Sequence, residues 1–140
     1  MCIRDRTEGF AREHGLSSEP EPKPEVRHDL VPIGEALATR TGTLDCRQCH
    51  SIGSLPPTGD KHTLLAPGIN FAMIRDRIRD DFYRRFTLDP PRYDVSTRMP
   101  KLAADGRKTK ITNILDGDAR RQFEAVWHFL QSIPDATNDP

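Results

Sequence analysis

Cysteine is scarce, three residues in 140. An odd, small count excludes a disulfide framework, because a secreted scaffold would use more pairs at longer spacing. Aromatics are few as well, at 6%, and hydrophobic residues make up only 35%. A chain of this length holds one domain with one core, yet this composition offers little to fill it. Such a chain is either partly unstructured or builds its core around something besides its own side chains. A large apolar cofactor meets the second condition. Net charge is also absent: 21 basic and 21 acidic residues cancel. Cancellation argues neither for nor against nucleic acid, and no nucleic-acid partner is expected. No apolar run approaches the roughly 20 residues that a membrane-spanning helix needs. No signal-peptide apolar region follows Met1, and there is no repeat, no glycine-rich phosphate loop and no clear strand.

Proline is plentiful, with 12 residues, and it divides the chain. Residues 1–28 read as a disordered tail or linker, since "SSEPEPKPEVRHD" alternates acid, proline and base with almost nothing to bury. The opening "MCIRDR" reads as a non-native start, so Cys2 carries no weight. Residues 29–135 form the expected domain, and 136–140 a disordered C-terminus. Inside the domain, Val31 to Leu44 suits a short helix, with Pro32 in its first turn and the small residues Gly34, Ala36 and Ala38 inviting a second helix close. Asn70 to Leu88 carries Phe71, Ile74, Ile78, Phe82 and Phe86 at helical spacing, with Asn70 as a cap. The arginines of that segment, from Arg75 to Arg85, read as a solvated face or as a docking patch for an acidic partner. A last helix from Ala119 to Ile133, capped by Asp116 or Asp118 and ended by Pro134, carries the stripe Phe123, Val126, Trp127, Leu130. The expected fold class is therefore all-α, with long irregular loops.

The chemistry centres on "DCRQCHSIG". Haem c is attached when two cysteine thiols add across its two vinyl groups. A two-residue gap sets both sulfurs along one porphyrin edge, and the adjacent histidine falls under the iron. Cys46, Cys49 and His50 meet all three demands, and this pentapeptide is the accepted sign of haem c attachment. Two competing readings need more than the chain offers. A structural zinc site wants four ligands, and His62 and His128 stand at irregular spacing for the task. A redox dithiol wants a strand–helix context. For the second face of the iron the candidates are Met73, Met99, His62 and His128. Met99, in the proline-bounded "STRMPKL", is favoured. A loop residue folds over that face readily, and thioether sulfur suits Fe(II), raising the potential towards that of an electron carrier. Tyr93 and Arg98 flank this loop and are candidate partners of the haem propionates.

Taken with "LLAPGI", "DPPRYDVSTRMPKL" and the closing helix "RRQFEAVWHFLQSI", the motif resembles a mono-haem class I cytochrome c from about Val31 to Ile133. It is most similar to the cytochrome modules joined to larger bacterial proteins. The resemblance implies a small helical domain around one covalent haem, with Cys46 and Cys49 attaching it, His50 as proximal and Met99 as distal ligand. It further implies that the Pro67 carbonyl accepts the proximal imidazole N–H, and that the first helix crosses the last near Gly34 and Trp127. The implied function is single-electron transfer, carrier rather than catalyst, with a redox partner protein or a fused catalytic domain. Two alternatives stay open: an electron-accepting module of a larger dehydrogenase or oxidase, and a ligand-binding or peroxidase-like haem site with a labile sixth position. Haem c is attached outside the bacterial cytoplasmic membrane. The expected location is therefore periplasmic, or membrane-tethered facing the periplasm, and the chain is expected to be incomplete at its N-terminus.

Overall fold

The computed structural model describes residues 25–134. The expectations for residues 1–24 and 136–140 lie outside the described residues. Regular structure here is helical: α1 Val31–Thr39, α2 Ile74–Arg77, α3 Asp80–Leu88, α4 Pro90–Tyr93 and α5 Ala119–Ser132. Short 3-10 turns occupy Cys46–Gln48, Thr63–Leu65, Phe71–Met73 and Leu115–Gly117. Among the described residues only isolated bridges occur, Ile52 with Leu55 and Lys108 with Asp118. The class is all-α.

The centre of the domain is α5. Asp118 caps it, its carboxylate accepting from the Arg121 N–H at 2.9 Å. Its expected stripe of Phe123, Val126, Trp127 and Leu130 is buried, and so are Ala119, Gln122, Ala125, His128, Phe129 and Gln131. The helix is thus covered on nearly every side, and a stripe is too narrow a description of it. Gln122, fully buried, pins the neighbouring loop. Its amide donates to the carbonyls of Ile111 and Ile114 at 2.8 and 2.7 Å, and its oxygen accepts from the Thr109 hydroxyl at 2.6 Å. A buried amide satisfied at three positions avoids the desolvation cost of unpaired polar atoms.

The most extensive helix contact is α1 on α5. It closes at Gly34, where a β-carbon would overlap the Ala125 carbonyl and crowd Phe129. Leu37 and Ala38 fill the rest of the seam. The crossing partners of Gly34 are Ala125 and Phe129; Trp127 turns instead to Tyr83, with ring centroids 4.8 Å apart. α1 is the short helix expected within the Val31 to Leu44 stretch. It stops at Thr39, and Thr43 folds back so that its hydroxyl lies 2.8 Å from the Leu37 carbonyl and 2.7 Å from that of Arg40. Gly42, at φ +85°, allows the reversal.

The expected single helix from Asn70 to Leu88 is three pieces. Asn70 caps the first, accepting from the Ala72 N–H at 3.0 Å. The helical path then breaks at Ile78 and Arg79, both extended, before α3 begins at Asp80. The break resets the register. Phe82, expected inside, is 38% exposed, while Tyr83 and Thr87 are buried. Tyr83 reaches α5, donating its hydroxyl proton to the Phe123 carbonyl at 2.8 Å. Periodicity carried across a break points to the wrong face, which is why Phe82 misled.

Candidate functional site

Cys46 and Cys49 lie on one tight turn. Cys46 opens it, and the N–H groups of Cys49 and His50 both donate to the Cys46 carbonyl, at 3.2 and 3.1 Å. Asp45, just before, sits in the left-handed region at φ +49°, a conformation that Asp tolerates better than most residues. Both thiols are free. Cys46 packs against the core, and burial pushes its thiol up to about 12. A thiol so raised is a poor nucleophile, the opposite of what a redox dithiol requires.

Residues 68–71 run beside residues 49–51 and are stitched to them. The Gly68 N–H donates to the Cys49 carbonyl at 2.8 Å, and the Phe71 N–H to the Ser51 carbonyl at 2.9 Å. Asn70 exchanges two hydrogen bonds with the Gly53 backbone, at 3.0 and 2.8 Å. Between these stitches lies His50. Its Nδ1 is 2.7 Å from the Ile69 carbonyl. A carbonyl only accepts, so Nδ1 carries the proton and Nε2 keeps its lone pair. Burial holds the imidazole below its usual protonation range, with the Ile69 carbonyl pulling the other way. The ring stacks on Phe71 with centroids 4.6 Å apart and 24° between planes. On another side the backbone of Gly68 approaches so closely that a β-carbon would overlap the imidazole.

One expectation is corrected here. The carbonyl that meets the imidazole belongs to Ile69, not to Pro67. Pro67 is exposed and precedes the close approach. The bond from Gly68 to the Cys49 carbonyl sets the strand of chain in register, and in that register the next carbonyl facing the ring is that of Ile69.

Met99 is half-buried in the loop after α4, its N–H donating to the Thr97 hydroxyl at 3.2 Å. The residue before it, Arg98, donates to the His62 carbonyl at 2.9 Å. Two residues after it, Lys101 pairs with Asp89 at 3.0 Å. Met73 lies half-buried in the Phe71–Met73 turn. Tyr93 is 46% exposed and meets Phe82 edge-on. Trp127 is buried, and its indole N–H has no partner.

The histidines weighed for a zinc site do not assemble one. His62 is exposed. His128, expected on a polar helix face, is buried on α5, and its Nδ1 accepts from the Arg27 N–H at 3.2 Å. Among the described residues no three His, Cys, Asp or Glu side chains gather as a metal site. Sequence reading missed Gly68, Ile69 and Phe71 as neighbours of His50. A glycine directly after Pro67 and before the capping Asn70 was the available signal.

Comparison with protein-family models, curated proteins and solved structures finds no match for this chain. No helix among the described residues is long and apolar enough to cross a membrane.

Proposed function

We propose that this chain is a c-type cytochrome domain that carries single electrons through one covalently attached haem, with His50 and Met99 as the residues that would hold its iron. The observation that carries the reading is the geometry of His50. A backbone carbonyl holds Nδ1–H at 2.7 Å, a stacked Phe71 and a close Gly68 fix the ring plane, and Nε2 is left as the donor. Metal-binding histidines are oriented in this way, through a hydrogen bond from the other nitrogen. The residues also fit the group chemically. Two free thiols on the same turn as His50 supply the attachment points, and Met99 supplies a thioether on a separate loop.

When bound, the haem would supply a one-electron Fe(III)/Fe(II) couple for exchange between a reduced and an oxidised partner. This chain's residues contribute the rest. Cys46 and Cys49 hold the group covalently, which keeps it in place within a core of few aromatics. His50 presents Nε2 in one orientation, and a rigid ligand changes little between oxidation states. Gly68 and Phe71 pack against the imidazole, and the Ile69 carbonyl holds its Nδ1–H. Partners are a redox protein or a fused catalytic domain, and the compartment is periplasmic or membrane-tethered facing the periplasm.

The test is export of the chain through a haem c maturation system, followed by absorption spectra of the oxidised, reduced and carbon monoxide-treated protein. A low-spin haem c spectrum indifferent to carbon monoxide is expected, and Met99→Ala should make the reduced protein bind it. Absence of covalent haem would overturn the proposal. A wild-type carbon monoxide adduct would favour the ligand-binding reading.

A further inference from the structure

Met99 stands between two tethers, and only one of them crosses to the attachment motif. Lys101 pairs with Asp89, just before α4, so it closes the loop on its own stem. Arg98 spans 36 positions to the His62 carbonyl. What it grips is itself firmly held. Asp60 accepts from both the N–H and the hydroxyl of Thr63, at 2.8 and 2.9 Å, which shapes the turn that His62 begins. The Asp60 carboxylate is also near enough to feel the charge of Arg98. One step back, the N–H groups of Thr58 and Gly59 each donate at 3.0 Å to the carbonyls of Arg47 and Gln48. Those two residues lie between Cys46 and Cys49. A continuous path therefore runs from the cysteine turn through residues 58–63 and across Arg98 to Met99.

We propose that Arg98 is the positioning residue for Met99. It straps the distal loop to the segment anchored on the cysteine turn, so that the thioether holds its place against competing ligands. This inference rests on the cytochrome reading above. Arg98 acts through its neighbour and through a backbone carbonyl, so its charge and reach matter more than the identity of the residue at His62. A guanidinium bonded to a carbonyl is a charge-assisted hydrogen bond, stronger than a neutral one. Losing it at an exposed position should shift the balance between Met99 and an external ligand by roughly tenfold.

The experiment uses the full chain matured with haem c, as wild type, Arg98→Leu, Arg98→Lys and Arg85→Leu. Among the described residues Arg85 pairs with exposed Asp81 one turn away, so its variant controls for loss of an arginine. Carbon monoxide affinity of the reduced protein and imidazole affinity of the oxidised protein are measured, with the methionine–iron charge-transfer band as the spectroscopic signature. Arg98→Leu should bind both ligands about tenfold more tightly and weaken the band. Arg98→Lys should recover part of the difference, and Arg85→Leu should match wild type. Haem-loaded Arg98→Leu that is indistinguishable from wild type overturns the strap and leaves the cytochrome reading standing. Equal effects of Arg85→Leu and Arg98→Leu overturn it too. A wild type that takes up no haem overturns both readings. Should Arg98→Leu fail to mature, Arg98→Gln, which keeps a neutral donor, takes its place, with an intermediate effect expected and none overturning the strap.

Discussion

Gly68 lies against the His50 imidazole so closely that a single added methyl group would overlap the ring, while the next residue, Ile69, supplies the carbonyl that holds Nδ1. Contact and hydrogen bond come from adjacent positions. The ring is therefore fixed in plane and in tautomer by one short stretch of backbone.

Gly68→Ala tests this directly. The new methyl must displace either the imidazole or the segment stitched to Cys49. Overpacking of this kind costs about 1–3 kcal/mol. Denaturant unfolding should show that loss, and the His50 ring N–H signal in NMR should move as its bond to Ile69 lengthens. An unchanged ring N–H signal would mean that the close approach does not orient His50.

Gly34→Ala tests the main helix seam. Its β-carbon would meet the Ala125 carbonyl, which is backbone and cannot rotate away. The helices must part, at a cost of about 1–3 kcal/mol or somewhat more. Equilibrium unfolding in urea should reveal a lower midpoint. A variant as stable as wild type would show that α1 and α5 can slide apart cheaply.

Cys46 should be slow to alkylate in the folded chain. Its thiol is pushed up to about 12 by burial, so at pH 8 only about one part in ten thousand is thiolate. Mass spectrometry after brief iodoacetamide treatment should find Cys49 modified and Cys46 spared, with Cys46 reacting once denaturant is added. Equal labelling of both in the folded state would contradict the burial of Cys46.

His128 should make stability depend on pH. Its folded-state value is lowered from 6.5, first by burial, against the pull of Glu124 and with help from Arg27 and Arg84. The unfolded chain then binds more protons in this window, so stability rises with pH there. Its contribution is complete above about pH 6.5 and is lost as pH falls towards the folded-state value. His50 shifts in the same direction, so the measurement compares urea midpoints of wild type and His128→Asn from neutral to acid pH. The slope should be shallower in the variant. Equal slopes would assign the dependence elsewhere.

Much of this domain is legible in residue order. The cysteine–histidine spacing, the cap at Asn70, the capping aspartate of α5 and the small face of α1 are all local signals. Each depends on atoms a few residues apart, where backbone geometry is nearly obligatory. Phe82 and Tyr83 mark the limit. A helical period read through Ile78 chose Phe82, but two extended residues turned the helix and put Tyr83 inside.

By itself, then, the sequence determined the helical class and the candidacy of Cys46, Cys49, His50 and Met99, because residue type and short spacing settle those. Only the tertiary structure decided which carbonyl holds His50, that Gln122 and His128 are interior, and that Arg98 reaches His62. Those pairings join residues 8 to 101 positions apart. They depend on where separate segments come to rest against α5, and no local propensity encodes that.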